Sequence, residues 1–468
     1  MNKLTSNLAD AIRASGLQSG MTISFHHHLR NGDGVLNLVL AEAARQGIRD
    51  LTLQASSLFD VHLPLLDHIK SGVVTGIETN YMSAGIGRAI SEGVLEKPVI
   101  FRSHGGRPSA IASGRVVIDV AFIAAPAADS MGNANGVSGP AACGSLGYAM
   151  PDARYAKRVV VITDHVMPYP LSPCPIEETD VDIVVQVPSI GDPKGIVSGT
   201  TRITRDPVGL SIARLAAQVI EHSGLMKDGF SFQTGAGGAS LAVTEYLKPI
   251  LRAKGIQGSF GLGGITGYLV DMLKEGYFAQ LLDVQCFDLT AVESIRDNPQ
   301  HQEISAERYA SPNARSCAVK SLDAVVLGAT EIDLDFNVNV HTDSNGYIMG
   351  GSGGHSDTAE GAKLSLIVVP LFRARLPIIV DKVTTVTTRG SAVDVLVTQR
   401  GVAVNPRRPE LKAGLAAAGL PVLDIRELQS LAHQFTGVPR AVKPQGRVVA
   451  KVEYPLGGIV DEIRSVIS

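Results

Sequence analysis

From residue 21 onward, short runs of Val, Ile, Leu and Phe alternate with amphipathic stretches of helical period. MTISF (21–25), IRDLTLQAS (48–56), GVVTGIETN (72–80), KPVIF (97–101), DVAFIAAP (119–126) and KRVVVITD (157–164) are mostly apolar on both faces. Such runs predict strands covered on both sides. Between them, GVLNLVLAEAARQG (34–47) and MSAGIGRAISEG (82–93) repeat apolar residues three and four apart, the spacing of a helix. Strands alternating with helices predict parallel α/β layers. The opening segment, 1–20, reads as an amphipathic helix.

The pattern then restarts. A Gly/Pro/Thr-rich stretch (189–207) leads into a long helical run, PVGLSIARLAAQVIEHSG (207–224), and a second strand series follows. GFSFQT (229–234), GIQGSF (255–260), LLDVQ (281–285), DAVVLGATEI (323–332), FNVNV (336–340), LSLIVVP (364–370) and DVLVTQRG (394–401) belong to it. We expect two related α/β halves with largely parallel sheets, 1–205 and 206–468, divided near Asp206. MTISFHHHLRNGDG and DGFSFQTGAGG hold similar positions, each soon after the opening helix of its half. No period of roughly 20–50 residues recurs, which excludes solenoids and propellers.

Composition narrows the classes. Of 468 residues, 45% are hydrophobic and 19% charged, so full cores are available and wholesale disorder is excluded. Lys and Arg total 42 against 45 Asp and Glu, without the basic excess of a nucleic-acid binder. Cys143, Cys174, Cys286 and Cys317 are scattered with no C-x-x-C pair, which argues against disulfide frameworks and zinc ribbons. No apolar stretch approaches about 18 residues and no basic-then-apolar leader opens the chain. These features predict a cytoplasmic protein with no membrane partner.

The candidate chemistry begins with a pattern that occurs three times, G-x-G-G-x-[ST]: GAGGAS (235–240), GLGGIT (261–266) and GSGGHS (351–356). The first two are expected as turns from strand to helix. Glycines there let backbone N–H groups face a phosphate, a carboxylate or a developing oxyanion, close to the positive end of a helix. Tight strand–helix packing is the alternative. GAGGAS lacks the third glycine of a dinucleotide fingerprint, and no P-loop occurs. The loop His26-His27-His28-Leu29-Arg30-Asn31-Gly32-Asp33 and the loop Arg102-Ser103-His104-Gly105-Gly106-Arg107 offer donors and cations for a polycarboxylate. Consecutive histidines alternate sides of a strand, so no metal site is expected. Asp164-His165 reads as a strand-end turn, and Glu331, Asp333 and Asp335 as a solvated strand face. No reactive cysteine signature is present.

These motifs resemble the CoA-transferase superfamily and, within it, the α subunits of citrate lyase. The likeness is carried by SFHHHLRNGDGVLNLVL, FRSHGGRPSAIASG, the run from AAPAADSMGNANGVSG to DHVMPYP, and NVNVHTDSNGYIMGGSGGHSDTAEGAKLSLIVVP. It extends over essentially the whole chain, although members usually begin some tens of residues upstream of the helix that opens here near Leu4. The resemblance implies two CoA-transferase-type domains with the active site between them. It also implies a citrate CoA-transferase that exchanges acetate for citrate on an acyl carrier protein (γ subunit), while a β subunit cleaves the citryl thioester. No covalently bound cofactor is expected; CoA or phosphoribosyl-dephospho-CoA would enter as a thioester substrate carried by the acyl carrier protein, and a homo-oligomer is expected. In glutamate-dependent relatives a catalytic Glu follows the strand after the first Gly-rich turn, and that position falls at about Gly261.

The expected catalytic positions are therefore Gly261, Gly263, Gly264, Gly353, Gly354 and His355. Gly235, Gly237, Gly238, Ser240, Gly351 and Ser352 would hold the thioester carrier group. His27, His28, Arg30, Arg102, His104 and Arg107 would bind the acid. Without an enzymatic nucleophile, the incoming carboxylate would attack the thioester itself and pass through a mixed anhydride. A CoA-transferase for another short-chain acid such as citramalate, and a non-catalytic anion sensor on the same fold, are the alternatives.

Overall fold

The computed structural model describes residues 2–197, 201–439, 442 and 444–466. A ten-stranded sheet runs in the order Leu4–Thr5, Ile183–Gln186, Arg158–Thr163, Val120–Ala124, Thr22–Phe25, Leu51–Ala55, Val74–Thr79, Val99–Phe101, Val448–Glu453, Ile459–Arg464. All neighbours are parallel except the last pair. An eight-stranded sheet follows the order His301–Glu303, Phe278–Cys286, Gly258–Ile265, Ser231–Thr234, Ala324–Leu327, Leu364–Val368, Val395–Thr398, Gly401–Val404, again parallel up to a final antiparallel pair. Central strands such as Val120–Ala124 are buried along their whole length, which is why their sequences are apolar throughout.

Both sheets share one construction. In each, the first long strand sits in the middle, and the strands after it are added first to one side and then to the other; in the first sheet the C-terminal hairpin then returns to the first side. The order therefore reverses beside Thr22–Phe25 in the first sheet and beside Ser231–Thr234 in the second. The crevice beyond the carboxyl ends of strands at such a reversal is where open α/β sheets place their ligands.

Four expectations need correction. The last hairpin, Val448–Glu453 with Ile459–Arg464, pairs with Val99–Phe101, so the end of the expected second half completes the first sheet. GLGGIT is mostly strand, not turn: Gly258–Ile265 runs through it with a bulge between Gly263 and Gly264. DAVVLGATEI is two short strands, Ala324–Leu327 and Glu331–Asp333, in different sheets. Glu331 and Asp333 are buried acceptors for Asn339, Thr384 and Asn337, and only Asp335 faces solvent. The Asp164-His165 pair does form a strand-end turn, where Asp164 accepts from the Ile190 N–H at 3.3 Å. Of the stretch 189–207, residues 198–200 lie outside the described residues. The helix after it, Pro207–Glu221, is started by Asp206, whose side chain accepts from the Gly209 N–H.

The halves meet backbone to backbone. A Cβ on Gly105 would lie 2.0 Å from the Ala310 carbonyl oxygen and 2.8 Å from Asp357 Oδ1. We expect Gly105→Ala to cost about 3 kcal/mol, because neither neighbour can retreat without separating the halves. The denaturant midpoint checks this, and a midpoint equal to that of the parent chain would contradict the contact.

Candidate active site

A cavity of about 390 Å³ opens where the two reversals face each other. Its walls are residues that directly follow strand ends. His27 and Arg30 come after Thr22–Phe25, Gln233 and Thr234 end Ser231–Thr234, Gln285 lies near the end of Phe278–Cys286, and Gly328 follows Ala324–Leu327. Gly235, Ala236 and Gly237 bring in the start of the helix Gly238–Lys254, and Gly351 to His355 the start of His355–Gly361. Among the described residues no Asp, Glu or Cys lines it. A roomier groove of about 590 Å³ beside the C-terminal hairpin is lined by Glu331, Lys382 and Arg464 among others, and shares none of the glycine turns.

Arg30 adopts φ +52°, a left-handed conformation uncommon outside glycine. Its guanidinium lies 4.6 Å from the Phe287 ring centroid and 5.3 Å from that of Phe59, so aromatic faces from both halves grip it. Burial lowers its pKa to about 10, which leaves it cationic at neutral pH. The loop is held behind it by Asp33, which pairs with His62 Nε2 at 2.9 Å and accepts from the Val35 N–H.

The imidazoles are neutral. Burial lowers His26 to about 4 and His104 to about 3, and pushes His27 and His28 well below the usual range. His27 Nδ1 bonds Ser56 Oγ at 2.5 Å and its ring stacks on Tyr148, with centroids 4.8 Å apart. His104 Nδ1 accepts from Asn80 Nδ2 at 2.7 Å, which puts its proton on Nε2, the edge nearest Gly353. His355 Nε2 donates to the Gly328 carbonyl at 2.9 Å and its Nδ1 bonds Thr388 Oγ1 at 2.8 Å, so that ring fixes backbone rather than meeting a ligand. His28, 1% exposed, packs between His26 and Tyr148 with neither ring nitrogen hydrogen-bonded among the described residues.

Of the residues singled out in the sequence, His27, Arg30, His104, Gly235, Gly237, Gly264, Gly351, Ser352, Gly353, Gly354 and His355 line the cavity. Gly238, Ser240, His28, Gly261 and Gly263 stand behind it. Arg107 is committed to Asp152 through two 2.7 Å bonds, and Arg102 to Glu78 and Glu453, so neither is a spare cation. A Cβ on Gly261 would point 2.8 Å from Leu281 Cδ2 into the apolar helix layer. An acidic side chain there would not reach the cavity. Tyr148, Gln233, Gln285, Tyr309, Phe59 and Phe287 were missed, although most lie near strand ends. Among the described residues no three His, Cys, Asp or Glu side chains group to hold a metal ion, and no helix is long and apolar enough to cross a membrane.

Comparison with known proteins decides the family. The model for "Citrate lyase, alpha subunit (CitF)" matches residues 1–466. The chain belongs to the citrate lyase α-subunit family. The enzyme class expected from the sequence, a citrate CoA-transferase component of citrate lyase, is the class of this family. The citrate lyase alpha chain of Klebsiella pneumoniae is 52% identical over 99% of this chain and 91% of its own length. That of Escherichia coli K12 is 50% identical over the same shares. A solved citrate lyase α subunit from Streptococcus mutans, in complex with citrate, superposes with a TM-score of 0.98 at 50% identity, covering 100% of this chain and 92% of that one. A Pseudomonas malonate decarboxylase hetero-tetramer shares the fold at a TM-score of 0.68 and 16% identity, over 94% and 88% of the two chains.

Proposed function

We propose that this chain exchanges the acetyl group of a carrier-bound thioester for citrate, giving acetate and a citryl thioester. One observation carries the mechanism: the cavity offers a gripped cation and many neutral donors but, among the described residues, no acidic side chain or thiol to take up the acyl group. The acid must then be its own nucleophile. A citrate carboxylate oxygen adds to the thioester carbonyl, the C–S bond breaks, and the thiolate leaves behind a mixed anhydride. The thiolate then attacks the citryl carbonyl and acetate departs. Arg30 binds a carboxylate. Apart from the Gly235 and Gly353 N–H groups, which donate to the Val326 and Asn80 carbonyls, the backbone N–H groups of the glycine turns and the His104 Nε2–H are the donors offered to each tetrahedral oxyanion.

The thioester arm is delivered by an acyl carrier protein, the γ subunit, within a complex that also holds the β lyase subunit. The glycine turn 235–237 at the start of the long helix receives that arm. A single turnover with citrate labelled with ¹⁸O in its carboxylates tests the scheme. Direct attack places label in the first acetate released. Unlabelled acetate, ping-pong kinetics or a trapped acyl-enzyme would refute it.

A further inference from the structure

Gln233 ends the middle strand of the second sheet and lines the cavity at only 6% exposure. Its Nε2 donates to Tyr309 Oη at 2.9 Å, which leaves the amide oxygen without that partner. Room for it comes from Gly263, at φ +103°, where a Cβ would lie 2.8 Å from Gln233 Nε2. The amide oxygen, Oε1, makes no hydrogen bond among the described residues. An oriented, buried acceptor without a donor is a standing cost that a ligand donor removes.

That acceptor cannot read a carboxylate, whose oxygens only accept. It needs an O–H or an N–H. Citrate at neutral pH has one such group, its tertiary hydroxyl; acetate has none. The thioester arm also carries amide N–H groups, but it must trail back to its carrier past exposed Gly237, whereas the acid is bound whole and can bring its hydroxyl to the buried Gln233. Resting on the transfer reading above, we infer that Gln233 is a specificity-determining residue that accepts the hydroxyl of a hydroxyl-bearing polycarboxylate, with Tyr309 as the residue that orients it.

The test compares citrate with propane-1,2,3-tricarboxylate, the same skeleton without the hydroxyl, by calorimetric titration of the full chain. The parent chain binds citrate about 10–100-fold more tightly. Gln233→Met brings the two acids to within about threefold by weakening citrate alone, and Tyr309→Phe narrows the gap by freeing the amide to turn. Equal affinities in the parent chain, an unchanged ratio in both variants, equal weakening of the two acids, or no binding of either overturns the assignment. Citryl thioester formation is assayed separately, so failed transfer with the ratio intact counts against the proposed reaction and not against Gln233.

Discussion

Arg30→Met is expected to lower kcat/KM for citryl transfer by about two to three orders of magnitude while the chain stays folded. The size follows from the electrostatics of the cavity. Its histidines are neutral because burial holds their pKa values far below neutrality, and Arg102 and Arg107 are spent on the chain's own carboxylates. Arg30 is the one Lys or Arg among the described lining residues, facing an acid of charge about −3. Methionine keeps the space between Phe59 and Phe287 filled and removes a buried charge, so the loss reads out in activity rather than in unfolding. Arg30→Lys is expected to fall between the two, since an ammonium supplies charge without the flat face that stacks on both rings. Steady-state kinetics with near-ultraviolet circular dichroism as the folding control decides it. A methionine variant within tenfold of the parent would remove Arg30 from the account.

How far the sequence could be read depended on how local each signal was. Strands such as Val120–Ala124 are buried on both faces, so their composition alone marks them. The hairpin Val448–Glu453 with Ile459–Arg464 is a partly exposed sheet edge, and its mixed composition gives no such mark. GLGGIT looks like a turn because glycine usually makes one. Here Leu281 and Phe287 occupy the space that side chains at Gly261 and Gly264 would need, so the glycines serve packing within a strand. Arg107 and Arg102 looked like substrate cations because nothing near them in sequence neutralises them; their partners, Asp152 and Glu453, lie 45 and 351 residues away. The rule that ligands sit beyond strand ends would have recovered Gln233 and Gln285, since each lies at or near the end of a predicted strand.

Asp357 carries the second large effect. It lies in the first turn of the helix His355–Gly361, directly after the glycine loop of the second half, but takes its hydrogen bonds from the first: Ser103 Oγ at 2.6 Å and the Gly105 N–H at 3.0 Å. His104 sits between those two anchors, and its own N–H donates to the Gly353 carbonyl at 2.8 Å. Asp357→Ala strands two buried donors and frees the loop that aims His104, so transfer should fall by about 100-fold and stability by about 2–4 kcal/mol. Asp357→Asn should restore both to near the parent level. Its Oδ1 can accept from the Gly105 N–H, and its Nδ2 can donate to Ser103 Oγ in place of the bond that the serine hydroxyl donates in the parent. Burial raises the Asp357 pKa from 3.8 to about 7, so between those values the folded chain keeps a proton that the unfolded chain has released. The stability of the parent relative to Asp357→Asn must therefore fall as pH rises through that window, by at most about 1.4 kcal/mol per unit. Denaturant midpoints of the two proteins at about pH 5 and pH 8 measure the difference, in which the other titrating groups cancel. If the difference does not change with pH, or if asparagine fails as badly as alanine, the carboxyl is not what ties the two loops together.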